Sequence, residues 1–353
     1  MTARPDPETA EAAPQAGPLF AAIDLGTNNC RLLVGAPAHD GFRVLDSVSR
    51  IVRLGQGLQE RGSLSDDAME RALAALRLCA DKLSRRRVVA TRAIATEACR
   101  RAANGRTFLD RVRRETGLQL DVISAREEAE LAIESCAPLL GRLSDQAMRR
   151  ALLLDIGGGS TELAWVRLPG GAGPPDLIGT ISLPLGVIDV AEAWGGQVAG
   201  PAAFDTTVET IARVLRDFDS VHRIGQEIRQ GGVALVGTSG TVTTLAGVVL
   251  GLRRYRRPLV DGVVLSADTA LDAVRRLRRM SPEILVQHPC VGPDRAEFVL
   301  PGCAIFMAIH RVWPAPVLMV ADRGLREGML LRMMRETHAR PARARDRAAV
   351  GAA

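Results

Sequence analysis

The chain carries one pattern twice, and this limits its folds more than any other feature. Residues 151–166, ALLLDIGGGSTELAWV, resemble residues 20–35, FAAIDLGTNNCRLLVG. Each copy is an apolar strand, an aspartate, a glycine-bearing turn and a second apolar strand. At one constant offset Asp24 aligns with Asp155, Gly26 with Gly157 and Arg31 with Glu162. A motif that opens both halves implies a duplicated α/β domain with a cleft between the copies. The runs LFAAID, CRLLVGA and FRVLDSVSR predict a three-stranded meander. SDDAMERALAALRLCADKLSRR has apolar residues at 69, 73, 76, 80 and 83, a helical spacing with Ser65 as N-cap. VVAT and LQLDVIS read as strands, and ATEACRRAANG and FLDRVRRETG as helices. AREEAELAIESC opens a further helix. The second half continues with strand LIGTISLPLG, helix FDTTVETIARVLRDF, strand ALVGT, helix SGTVTTLAGVVL and one long helical stretch from about 266 to 288. PGCAIFMAIHRVW, VLMVAD and RGLREGMLLRMMRE close the chain as helix, strand and helix.

Composition removes several function classes. Of 46 basic residues only Lys82 is a lysine. No GxxxxGK[ST] phosphate loop can form, because its lysine is missing, and Schiff-base or protein-kinase chemistry would have to rest on Lys82, which reads as a solvated helix residue. The five histidines form no HExxH or HxH pair, so a histidine metal centre is not expected. The six cysteines show no CxxC spacing, and residues 1–18 are acidic and rich in Pro and Ala rather than a signal peptide. Reduced thiols and a cytoplasmic location are the expectation. Val233–Leu252 is the best uncharged stretch, but its four glycines and four threonines fit a buried strand, loop and helix rather than a membrane span. Aromatic residues make up 3 %, poor material for stacking bases, so the net charge of +6 does not by itself imply a nucleic-acid partner.

Three glycine turns follow apolar strands: DLGTNN at 24–29, DIGGGST at 155–161 and GTSGT at 237–241. Such turns present successive backbone N–H groups that a phosphate can approach closely. Thr27, Ser160, Thr161, Thr238, Ser239 and Thr241 add hydroxyls. A single turn of this kind reads first as a tight strand connection without a ligand; three together, two with aspartate at the strand end, favour phosphate binding. Asp24 and Asp155 end their strands where two carboxylates can face each other, which suits a hydrated Mg²⁺. Glu162 would return on the next strand, either as a further ligand or as an exposed strand carboxylate. In VISAREEAEL, Ser124 and Glu127 have capping-box spacing. Glu128 is then free, either to activate water from the start of its helix or as a solvated helix-face charge.

IDLGTNNCRLLV, ATEACRRAANG, VISAREEAEL, LLDIGGGSTEL, GTSGTVTTLAG and VADRGLREGML stand in the order and approximate spacing of the exopolyphosphatase/guanosine pentaphosphate phosphatase (Ppx/GppA) family. The resemblance covers about residues 19–335 and is to a short, two-domain form; the C-terminal HD-like helical domain of larger members has no counterpart here. Ala125 and Asn29 depart from the glycine and serine usual at their places. The resemblance implies two actin-like, ribonuclease H-like domains around a cleft. The expected layout is a disordered tail at 1–18, domain I at 19–139, domain II at 140–301, a segment 302–336 packing back on domain I, and a disordered basic tail at 337–353.

Carried over by motif, Glu128 matches the catalytic glutamate, and Asp155 and Glu162 the metal- and water-positioning carboxylates. Asp24 matches the first phosphate-loop aspartate and a metal ligand. Arg100 matches an arginine that holds a phosphate in the cleft. Gly157, Gly158, Gly159, Ser160 and Thr161 would cradle the scissile phosphate. Gly26, Thr27, Asn28, Asn29 and Arg31 belong to the first phosphate loop, and Gly237, Thr238, Ser239, Gly240 and Thr241 to the third. The implied cofactor is Mg²⁺ or Mn²⁺. The implied partner is inorganic polyphosphate or guanosine pentaphosphate, with no nucleic acid and no membrane, and a homodimer is left open. Further arginines for a polyanion are Arg53, Arg92, Arg253, Arg254, Arg256 and Arg257, although RRYRR also reads as a solvated loop. An actin-like sugar kinase fits less well, because the EEA pair and ATxxxRxAxN favour hydrolysis; a non-catalytic polyphosphate- or nucleotide-binding regulator is the other rival.

Overall fold

The structure is a computed structural model that describes residues 17–39, 41–171, 173–195 and 200–339. The first sheet begins with the expected meander, β1 (Leu19–Leu25), β2 (Asn29–Ala38) and β3 (Gly41–Ile51). It is completed by β4 (Val88–Ala95) and the two-residue β5 (Asp121–Val122), both running parallel to β1. The second sheet contains β6 (Arg150–Ile156), β7 (Thr161–Arg167), β8 (Asp176–Leu183), β9 (Val233–Thr238), β10 (Val264–Ser266) and β11 (Val317–Val320). Strand order is β3-β2-β1-β4-β5 in the first sheet and β10-β11-β9-β6-β7-β8 in the second. Read from β8, the second order repeats the first and adds β10 at the edge. The two halves are α/β domains of one topology around a cleft, as the resemblance implies.

The repeat extends to register. Asp24 lies opposite Arg31 in the β1–β2 pair, and Asp155 opposite Glu162 in the β6–β7 pair. Positions that align in sequence are therefore cross-strand neighbours in both copies. The central β9 is buried at every position, as a strand covered on both faces must be.

Caps follow local chemistry. Ser65 Oγ accepts the Ala68 N–H ahead of the helix Asp66–Ser84, and Gly117, at φ 73°, ends the helix Gly105–Thr116. The expected helical stretch near 266–288 is two helices, Ala267–Arg278 and Pro282–Gln287. Ser281 caps the second, and Pro282, lacking an N–H, opens it rather than continuing the first.

The domain edges differ from the expected 139, 140 and 302. The helix Ala125–Asp145 starts beside the first sheet, yet Ala129, Ala132, Cys136, Leu139, Leu140 and Leu143 pack on the second. The helix Ala296–Val312 and β11 also belong to the second domain. Only the helix Leu325–Ala339 returns, laying Met329, Leu330, Met333 and Met334 on Phe20, Ala22, Leu33 and Ile94 of the first sheet. The two crossing helices touch: a Cβ at Gly328 would run into the Leu131 carbonyl. Of the expected disordered tails, 1–16 and 340–353 lie outside the described residues, and 337–339 continue the last helix. Among the described residues no helix is long and apolar enough to cross a membrane.

Candidate active site

The first two glycine loops are the same turn built twice. The Gly26 N–H donates to the Asn29 carbonyl, and the Gly157 N–H to the Ser160 carbonyl, both at 2.9 Å. Among the described residues the N–H groups of Thr27, Asn28, Gly158 and Gly159 find no acceptor. The loops also meet face to face. A Cβ on Gly159 would stand 2.7 Å from Thr27 Cγ2, closer than a side chain can come unless Thr27 shifts, and one on Gly158 would be tight at 3.2 Å from Asn28 Cβ. The second loop is held from behind, where the Val187 and Ile188 N–H groups donate to the Gly157 and Gly158 carbonyls at 3.0 and 2.8 Å.

These loops floor a cleft of about 630 Å³. Its walls include Asp24, Gly26, Thr27, Asn28, Asn29 and Arg31 from the first loop and its strands. Asp155, Gly157, Gly158, Ser160 and Glu162 come from the second, Ser239, Gly240 and Thr241 from the third, and Glu128 from the helix Ala125–Asp145. Ser239 has φ 76°, a left-handed conformation that costs a non-glycine residue about 1 kcal/mol or more. Its Oγ is buried without a partner, as are Asn28 Oδ1 and Asp24 Oδ1. Three of the five such atoms among the described residues thus line this one cleft, each costing about 1–3 kcal/mol if left unmade.

Four carboxylates share the site, and burial is the largest influence on each. Glu128 is 6 % exposed. Its carboxyl is pushed up to about 7 by burial, with Arg100 opposing and Asp24 and Asp155 adding repulsion. Asp155 is pushed up to about 6 by burial, against the pull of Arg31. Glu162 is raised well above its ordinary value by burial and by Glu128 and Asp155, while Ser182 Oγ donates to it at 3.0 Å. It is therefore not an exposed strand carboxylate. Asp24 is raised by burial, with Arg31 and Arg326 opposing.

Such a set suits a hard divalent cation, and the unpartnered Asp24 Oδ1 is a buried oxygen in need of one. No three Asp, Glu, His or Cys side chains among the described residues converge on a single point. The fit is thus to a hydrated ion held through one or two carboxylates and through substrate oxygens, as Mg²⁺ is usually held.

Several expected residues stand elsewhere. Arg100 is off the cleft wall, with its guanidinium on Glu97, Glu128 and the Ile123 carbonyl. Its place on the short helix Glu97–Arg101 turns it toward those carboxylates, which occupy the guanidinium expected on a phosphate. The Ser124–Glu127 capping box is half made. Ser124 Oγ accepts the Glu127 N–H at 3.2 Å, but the Glu127 carboxylate pairs with Arg92 and lies 3.9 Å from Arg332. Thr161 Oγ1 donates to the Leu185 carbonyl at 2.9 Å and Thr238 Oγ1 to that of Leu154 at 3.3 Å. Gly237 lies under Val242 and Gly159 under Thr27. These four shape the loops without lining the cleft.

Among the further arginines, Arg253, Arg254 and Arg256 do not line the cleft, and Arg257 pairs with Glu327 at 3.2 Å. Arg53 reaches across to Glu297 at 3.2 Å and lies 5.7 Å over the Phe298 ring. Sequence reasoning missed Thr96, Arg50, Arg295 and Arg323, all on the wall. Arg295 Nη1 donates to Thr244 Oγ1 at 3.1 Å and has no carboxylate partner among the described residues. Thr96 and Arg323 stood inside motifs already singled out; Arg50 and Arg295 carried no local signal.

Comparison with known proteins identifies the family. The model of the Ppx/GppA phosphatase family matches residues 34–337. An exopolyphosphatase-like protein of known structure is 28 % identical, with a TM-score of 0.79 over 92 % of this chain and 100 % of its own. The Ppx/GppA family member from Aquifex aeolicus is 26 % identical, with a TM-score of 0.71 over 92 % of this chain and 99 % of its own. An exopolyphosphatase from Cytophaga hutchinsonii shares the fold at 22 % identity, with a TM-score of 0.77 over 90 % and 98 %. With a family match over most of its length and the duplicated glycine loops facing one cleft, the chain belongs to the Ppx/GppA phosphatase family.

Proposed function

We propose that the protein is an exopolyphosphatase, releasing terminal orthophosphate from inorganic polyphosphate by attack of water. One observation supports this above the others: three unused backbone N–H groups on two opposed loops, those of Thr27, Asn28 and Gly158, belong to the wall of a cleft that also holds a buried, high-pKa glutamate. The N–H groups of Thr27, Asn28 and Gly158 take the oxygens of the terminal phosphoryl group. Glu128 orients the attacking water and accepts its proton as the water oxygen bonds to phosphorus and the bridging P–O bond breaks. The departing oxygen leaves with the shortened chain. Asp24, Asp155 and Glu162 would hold Mg²⁺ or Mn²⁺, which supplies neutralisation of the charge that develops on the phosphate oxygens. Positioning and charge account for the chemistry, so no covalent intermediate on the protein is required.

The family resemblance also admits the terminal phosphate of guanosine pentaphosphate, since both substrates end in the same anhydride. The deciding experiment is a phosphate-release assay with long-chain polyphosphate, short-chain polyphosphate and guanosine pentaphosphate, each with and without Mg²⁺. Faster release from polyphosphate supports the proposal. Preference for the nucleotide reassigns the substrate, and no release from any of the three removes the enzymatic reading.

A further inference from the structure

The hydrogen bonds of Arg100 leave it no free edge. Nη1 donates to Glu128 Oε2 at 2.8 Å and to the Ile123 carbonyl at 2.7 Å. Nε donates to Glu97 Oε2 at 3.0 Å, and Nη2 donates to the same oxygen. A guanidinium has five N–H donors, and four are spent here. A bidentate grip on phosphate needs two parallel N–H groups on one edge, and only a single Nη2 hydrogen remains. Glu97, itself buried with its side chain 7 % exposed, fixes the back edge of the guanidinium. The front edge holds one oxygen of Glu128 and leaves Oε1 without a protein partner among the described residues.

We propose that Arg100 is a positioning residue, held by Glu97 and acting on the reaction only through Glu128. It fixes Oε2, so that Oε1 is the atom presented to the attacking water. The triad Glu97–Arg100–Glu128 thus ties the base to the first domain although its helix packs on the second. This rests on the reading of Glu128 as the base.

The test is steady-state phosphate release from polyphosphate by Arg100→Ala, Arg100→Lys, Glu97→Gln, Glu128→Gln and the double variant Arg100→Ala/Glu128→Gln. Arg100→Ala is expected to lower kcat by about 10–100-fold, the scale usual for groups that orient a reacting side chain, with KM within about twofold of the parent. Arg100→Lys recovers much of that loss, because one charged donor still reaches Oε2; a phosphate clamp would not be rescued by a point charge. Glu97→Gln frees the guanidinium and lowers kcat, again with little change in KM. The decisive result is the double variant, which is expected to be no worse than Glu128→Gln alone, since a residue acting only through Glu128 has nothing left to act on.

A tenfold or greater rise in KM for Arg100→Ala at near-parental kcat would overturn the proposal, as would losses that multiply in the double variant. Should Arg100→Ala fail to fold by its thermal melt, Arg100→Lys and Glu97→Gln carry the same test. If Glu128→Gln is itself fully active, the base reading fails first, and the two failures are told apart.

Discussion

Replacing Glu128 by glutamine separates two consequences of one buried carboxyl. In the folded protein that carboxyl titrates near 7 instead of its ordinary 4.5, because burial outweighs the pull of Arg100. Below pH 4.5 it is protonated in both folded and unfolded chains and costs nothing. As pH rises through that window the unfolded chain ionises freely while the folded chain resists. Above pH 7 the penalty is complete, at about 3 kcal/mol. Glutamine keeps the shape and the acceptor for Arg100, which retains Glu97 and the Ile123 carbonyl. Glu128→Gln should therefore be more stable than the parent at pH 8 and indistinguishable from it at pH 4. For 353 residues, with an unfolding entropy of about 2 cal/mol/K per residue, this is a rise of about 4 °C in Tm. Turnover should fall by about 10²–10⁴ because the base is gone. Thermal melts at pH 4, 6 and 8 and single-turnover phosphate release read both effects. A variant that is less stable than the parent at pH 8, or that turns over at the parental rate, refutes the reasoning.

In the parent, kcat/KM should fall as pH drops through about 7, with added Mg²⁺ moving that limb to lower pH, since a nearby cation favours the ionised base; a pH-independent profile between 5 and 8 would contradict it. A chelator should abolish phosphate release and Mg²⁺ or Mn²⁺ restore it, because Asp24, Asp155 and Glu162 offer only hard oxygens; undiminished release in excess chelator excludes the ion. Gly328→Ala should part the crossing helices at Leu131 and lower stability by about 1–3 kcal/mol, read as a lower denaturant midpoint; an unchanged midpoint means the backbones do not press there. Ser239→Gly should relieve the left-handed strain and raise Tm while reducing kcat/KM, a stability gain made at the expense of a site hydroxyl; a rise in both would remove Ser239 from the site.

What could be read from the chain depended on whether the cause was local. The two Asp-Gly turns, the meander, the Ser65 cap and the return of Glu162 on the strand after Asp155 are written in contiguous residues. The destination of an apolar helix face is not local. Periodicity shows that Leu139, Leu140 and Leu143 are buried, not that they cross to the second sheet. Side chains with several eligible partners were equally illegible. Glu127 had a cap within reach and took Arg92, and Arg100, expected on a phosphate, was captured by Glu97 and Glu128. Arg295 reaches the cleft by tertiary packing from outside the three loops that the sequence singled out.

Duplication normally frees two copies of a domain to drift apart in sequence. Here the copies press on each other at their most functional residues: Thr27 of one loop fills the space that a Cβ on Gly159 of the other would need. Neither position can grow unless its opposite shrinks. An alanine at 159 should be tolerated only beside a smaller residue at 27, and a bulkier residue at 27 has no partner smaller than the glycine already present. The two loops are therefore bound to change as a pair or not at all, and a search for covariation across this family should find positions 27 and 159 yoked although they lie at the heads of different domains.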